Sequence, residues 1–155
     1  MGHTVIAMDG EHCTCGRKGC WEAYASATAL IRDAERAADK NPDSALAKEI
    51  AANGGRATGK IAFDCANGGD ATAKEVVDKY IRYVAEGIIN LINTFQPQYV
   101  AIGGGISNQG DKLLEPVKKY VREGSYGGNL VRPTEIVIAK LGNDAGIIGA
   151  ALLAL

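Results

Sequence analysis

Apolar residues along the chain recur at either helical or strand spacing. Residues 4–8 form a short apolar run that predicts a strand, and the run leads into a cysteine-rich loop over residues 13–20. Over residues 26–38, Leu30, Ile31, Ala34 and Ala37 share one side at helical spacing. Asn41-Pro42-Asp43-Ser44 is a turn with helix-start character, and a weak helix over 45–52 ends at Asn53-Gly54-Gly55. A further short helix is predicted over 62–67, closed by Gly68-Gly69. The strongest helix is predicted over 72–95, where Val77, Ile81, Val84, Ile88, Ile92 and Phe95 recur at steps of three and four. Thr72 and Glu75 have capping-box spacing at its start, and Pro97 stops it.

Beyond Pro97 the period changes. Tyr99-Val100-Ala101-Ile102 reads as a buried strand, and Gly103-Gly104-Gly105 forms the turn leaving it. Residues 112–122 predict an amphipathic helix with Leu113, Leu114, Val117 and Val121 facing inward. A flexible loop is expected over 124–132, a second buried strand over 135–139 and a small-residue, apolar helix over 146–155. Strand, helix, strand, helix in this order predicts a parallel β-α-β unit and an α/β fold. There is no internal repeat and no linker long enough to split the chain.

Composition narrows the function classes. The chain has 155 residues, about one domain, with 46% hydrophobic and 23% charged residues, which excludes a disordered tail. Seventeen Lys plus Arg against eighteen Asp plus Glu leave a net charge of -1. That balance offers no basic field to nucleic acid or to an acidic membrane surface. No stretch has the length of a membrane span, and Met1-Gly2-His3-Thr4 does not start a signal peptide, so the cytoplasm is the expected compartment. Twenty glycines against four prolines imply many tight turns and close backbone approaches.

Three of the four cysteines lie within eight residues, Cys13-Thr14-Cys15-Gly16-Arg17-Lys18-Gly19-Cys20. Thiolates suit zinc, which takes four ligands at tetrahedral angles, so three cysteines need a fourth partner. His3 and His12 are the only histidines. His12 adjoins Cys13, and neighbouring residues rarely both reach one ion, whereas His3 approaches from the preceding strand. Reduced surface thiols or a labile disulfide are the alternatives. Cys65, inside a helical segment, reads as a buried thiol acting as a small hydrophobe.

The pattern Cys13-x-Cys15-Gly16-x-x-Gly19-Cys20-x-Glu22, with Gly2-His3 ten positions before the first cysteine, resembles the signature of the ROK family. That family comprises bacterial sugar kinases, notably glucokinases, and related transcriptional repressors. The segments 99–107 and 142–150 resemble the family's nucleotide-side and C-terminal segments. The resemblance implies a ribonuclease-H-like (actin-like ATPase) lobe with a zinc-binding loop. Residues 1–25 would form the zinc and sugar-binding loop, and residues 97–155 the nucleotide-side unit. It implies His3, Cys13, Cys15 and Cys20 as ligands of a structural zinc, with His3 and Glu22 also contacting sugar hydroxyls. Without the resemblance, Glu22 is an acidic residue at the start of a helix.

Gly103, Gly104 and Gly105 border the nucleotide by the same resemblance, and otherwise form an ordinary strand-to-helix turn. Thr58-Gly59-Lys60 resembles another nucleotide-side loop, although Lys60 reads equally as a solvated charge. Asn143-Asp144 reads as a helix N-cap. The resemblance further implies ATP and Mg2+ as cofactors, a hexose (glucose first) as substrate and a homo-oligomer of two or more copies. The chain contains no Asp-x-Gly-x-Thr phosphate loop. The expectation is therefore the C-terminal half of a longer kinase, inactive by itself, with His3 prone to fraying near the terminus. The sensor half of a sugar-responsive repressor and a stand-alone binding domain are the alternatives.

Overall fold

A computed structural model describes residues 1–127, 133–141 and 144–153. Its elements run α1 (Glu22–Ala25), α2 (Ala27–Lys40), α3 (Ala45–Ala52), α4 (Gly59–Asn67), α5 (Ala71–Phe95), β1 (Tyr99–Ile102), a 3-10 helix (Gly105–Gln109), α6 (Asp111–Gly124), β2 (Glu135–Ile138) and α7 (Ala145–Leu152).

Local capping sets most helix starts. Ser26, Ser44 and Thr58 each accept the backbone N–H three residues ahead at 3.1 Å, opening α2, α3 and α4. The Thr58 cap corrects the expected start of α4, because Thr58-Gly59-Lys60 is the first turn of that helix. The start of α5 also differs. Asp70, not Thr72, is its N-cap, with Oδ1 accepting from Ala73 N at 2.7 Å. Thr72 then lies one residue inside the helix, and the expected capping box does not form.

α5 is the spine. Val77, Ile81, Val84 and Ile88 are buried as expected, and α2, α4 and α6 pack around them. The stripe weakens at its C-terminal end, where Ile92 is half-buried and Phe95 is 63% exposed. Leu30, Leu46, Phe63 and Leu113 are nearly inaccessible to solvent, and each contributes roughly 1.5–3 kcal/mol relative to exposure. Gln96 ends α5 in the left-handed region, ahead of Pro97.

β1 and β2 pair in parallel with Tyr99 opposite Glu135 and Ile102 opposite Ile138. α6 provides the crossover, burying Leu113, Leu114, Val117 and Val121. The strands are less buried than their apolar runs predicted. Ile136 is buried and Val100 and Ile102 pack on the core, but Tyr99 is 63% exposed. Among the described residues the sheet has two strands and one covered face, so alternate positions meet solvent. α7 likewise exposes Ile147 and Leu152. Asp144 stands at its N-cap position but makes no side-chain cap hydrogen bond, and Asn143 lies outside the described residues. Residues 128–132 of the expected loop also lie outside them, and Gly124 ends α6 instead of opening that loop.

The strand expected over residues 4–8 does not form. Val5 makes a single antiparallel bridge with Cys20, and the Ile6 and Ala7 N–H groups both donate to the Gly19 carbonyl, at 2.9 and 3.2 Å. One carbonyl serving two successive donors curls the chain instead of extending it. The segment belongs to a second, small hydrophobic cluster of Cys13, Cys20, Ala23 and Tyr24. Among the described residues, no helix is long and apolar enough to cross a membrane.

Candidate functional site

The cysteine loop is built from backbone turns. Cys13 N–H donates to Arg17 O at 2.9 Å, and Gly16 N–H donates to Cys13 O at 3.0 Å, closing a tight turn around Cys15. Gly19 has φ +75° and lies so close to Ala7 O that an added Cβ would sit 1.6 Å from it. Only glycine fits both demands, which gives the second glycine of the motif a steric reason. Gly19 N–H donates to Glu11 O, returning the chain to place Cys20 beneath residues 3–5.

His3, Cys13, Cys15 and Cys20 converge, their ligand atoms all lying within 4.8 Å of one another. His3 Nδ1 is 3.4 Å from Cys13 Sγ, and Cys15 Sγ is 3.6 Å from Cys20 Sγ. A disulfide has sulfurs about 2.05 Å apart, so all four cysteines of the chain are free thiols. Zinc bound tetrahedrally, with Zn–S about 2.3 Å and Zn–N about 2.0–2.1 Å, holds such donors roughly 3.5–3.8 Å apart. The donor set fits that ion, and the spacing fits once the widest pair draws in by about 1 Å. His12 and Cys65 are not in the group; His12 bridges Lys18, and burial pushes the Cys65 thiol up from its ordinary value.

The thiols differ electrostatically. Burial, reinforced by the neighbouring Cys15 and Cys13 thiols, pushes Cys20 up to about 11. The Arg17 backbone N–H holds Cys15 below the usual thiol range. A metal ion bound here must displace the thiol protons, so its binding would release protons and weaken as pH falls.

Glu22 opens α1, and its Oε2 lies 3.3 Å from His3 Nδ1. Both side chains are about half exposed, at 56% and 48% for His3 and Glu22. The pair therefore forms a solvent-facing rim on the thiol cluster. Hydrogen bonds bracket His3, from Glu22 N–H to Gly2 O and from Trp21 N–H to Thr4 O, each 2.8 Å. These bonds tie down the terminus that was expected to fray.

Several supporting residues carried no motif signal. Glu11 receives two hydrogen bonds from Arg36, at 2.6 and 3.4 Å, fastening the loop to α2. The Arg36 guanidinium holds the Glu11 carboxyl below its usual range. The Tyr24 hydroxyl accepts Glu11 N–H at 2.7 Å, and the Tyr24 ring packs on Tyr83 of α5 at 4.5 Å.

The nucleotide-side candidates are placed apart from this cluster, on the larger core. Gly103 and Gly104 are exposed after β1, and Gly105, also exposed, opens the 3-10 helix. Gly59 neighbours that helix: a Cβ built there would lie 2.9 Å from Ile106 Cδ1. The start of α4 thus packs against the 3-10 helix that follows the glycine turn. Lys60 is solvent-exposed and pairs with Asp64 one helical turn on.

A family model described as the ROK family matches residues 1–155. A glucokinase of Halalkalibacterium halodurans is 40% identical over 154 residues, covering 99% of this chain and 46% of that protein. The crystal structure of a ROK family glucokinase from Streptomyces griseus, in complex with glucose and AMPPNP, superposes with a TM-score of 0.83. The two share 33% identity over 98% of this chain and 49% of that one. A ROK family transcriptional regulator, a homolog of the E. coli MLC protein, matches with a TM-score of 0.77 and 28% identity, over 98% of this chain and 37% of its own. This chain belongs to the ROK family. It spans about half the length, or less, of these relatives.

Proposed function

We propose that this chain supplies the zinc loop, the sugar-contacting pair and the nucleotide-side unit of an ATP-dependent hexose kinase that phosphorylates the 6-hydroxyl of glucose. The observation that carries the reading is the His3–Glu22 pair, 3.3 Å apart on the rim of a four-donor cluster. The similarity to glucokinases supports the choice of sugar. In this reading Glu22 accepts hydrogen bonds from sugar hydroxyls, a task suited to an ionised carboxylate. His3 Nδ1, which faces Cys13, would bind the ion, leaving Nε2 to reach a sugar hydroxyl. His3, Cys13, Cys15 and Cys20 would hold zinc, which supplies a cross-link and no open coordination position for water.

Gly103–Gly105 present exposed backbone to the nucleotide, and ATP with Mg2+ supplies the transferable phosphoryl group. Transfer forms a bond from the sugar 6-oxygen to the γ-phosphorus and breaks the bond to the β–γ bridging oxygen. The base that takes the hydroxyl proton is assigned to the half of the kinase that these residues do not span. The assembled protein is cytoplasmic and homo-oligomeric in this reading, and the exposed Phe95, Tyr99 and Ile147 offer surface for association.

Titrating the chain with glucose tests the sugar role. Saturable binding is expected, weakened about tenfold by Glu22→Gln, equivalent to about 1.4 kcal/mol. Equal binding by the Gln variant would overturn the assignment of Glu22. The similarity to a transcriptional regulator favours a second reading as the sensor half of a repressor. Binding of a non-hydrolysable ATP analogue, weakened by a bulky substitution at Gly104, supports the kinase over the sensor.

A further inference from the structure

Trp21 stands between two site residues, Cys20 and Glu22, and is the only tryptophan in the chain. Its indole N–H donates to the Tyr83 carbonyl of α5 at 2.7 Å, across 62 positions of sequence. Its ring fills the place a side chain at Gly87 would need: a Cβ there would lie 1.9 Å from Cε2 and 2.2 Å from Cδ2. Gly87 is in the interior of a 25-residue helix, where glycine is otherwise unfavourable. Tyr80, Tyr83 and Gly87 share one face of α5. The Tyr80 hydroxyl donates to Ala25 O at 3.1 Å, and the Tyr83 ring meets Tyr24. The segment 21–25 is thus laid along α5 at three points, and the Gly87 end carries the site residues.

We propose that Trp21, seated in the Gly87 gap, is a positioning residue that fixes Cys20 and Glu22 relative to His3. The proposal deepens the metal and sugar reading above and rests on it for its purpose, while the seating itself is independent of any ion. Moving the indole pulls on the residue at either side: Cys20, which is fully buried, and Glu22, whose N–H holds Gly2.

The test is a double-mutant cycle on the full chain with Gly87→Ala, Trp21→Leu and both together. The readouts are helix content by circular dichroism, the labelling rate of Cys20 by a thiol reagent in metal-free protein, and zinc affinity by chelator competition. Gly87→Ala should keep the helix content, shift Trp21 emission to the red, and change Cys20 labelling and zinc affinity by about tenfold each. In the Trp21→Leu background the same alanine should change neither, because the smaller side chain clears the new Cβ. An equal effect in both backgrounds, or none in either, overturns the proposal. Should Gly87→Ala fail to fold, Trp21→Leu alone must accelerate Cys20 labelling severalfold with helix content kept, and an unchanged rate overturns it. A wild-type chain that takes up no zinc refutes the metal reading, and the labelling cycle still decides the positioning role.

Discussion

Asp70 is a single carboxylate shared by two helices, which makes it a sensitive test of how the helical frame is held. Oδ1 accepts Ala73 N–H of α5 at 2.7 Å, and Oδ2 accepts Ala45 N–H of α3 at 2.8 Å. Asp70→Ala removes both bonds and the negative charge from two helix starts. A lost N-cap costs about 1 kcal/mol, and a charge at an exposed helix start contributes about 0.3–1 kcal/mol. The α3 contribution is the smaller, because Ser44 still caps that helix through Ala47 N–H. The expected loss is therefore about 2 kcal/mol, read by urea unfolding as a lower midpoint at unchanged slope. For a domain of this size it lowers Tm by roughly 4–8 °C. Asp70→Asn keeps one acceptor oxygen and should lose about half as much. A loss below about 0.5 kcal/mol for alanine, or equal losses for both variants, would refute the shared-cap reasoning.

Three further outcomes follow from the geometry. Residues 1–20 bury little besides Cys13, Gly19 and Cys20, so a chelator should melt this segment while α5 stays folded. Hydrogen exchange should show lost protection at Ile6, Ala7 and Gly19 and none lost in α5; retained protection would argue against a metal cross-link. Arg36 lowers the Glu11 pKa, so the pair stabilises the fold above the ordinary glutamate range and the benefit disappears as pH falls through the lowered value. The stability difference between wild type and Glu11→Gln should accordingly close on acidification below about pH 4, and a constant difference down to pH 2 would refute this. Sedimentation should show a dimer or larger species through the exposed apolar residues, against which a monomer at high concentration would count.

What the sequence displayed was what short-range chemistry encodes. Ser26 and Ser44 cap their helices through N–H groups three residues ahead, and the thiols that converge lie within eight residues, so a reader of the chain meets cause and effect together. Strand burial was misjudged because an apolar run reports the preference of Tyr99 and not whether a neighbour covers it. The capping box at Thr72 and Glu75 was a valid local pattern displaced by Asp70, which gains a second helix start that lies 25 positions away. The same logic separates the site's ligands from its supports. His3 meets Cys13 across 10 positions, whereas Glu11 meets Arg36 across 25 and Trp21 meets Tyr83 across 62. A donor set must be chemically distinctive to hold an ion, and that distinctiveness is visible as a motif. A support needs only shape, and shape is shared between residues that no spacing rule connects. The chemistry of this site is therefore written locally, while its rigidity comes from α5.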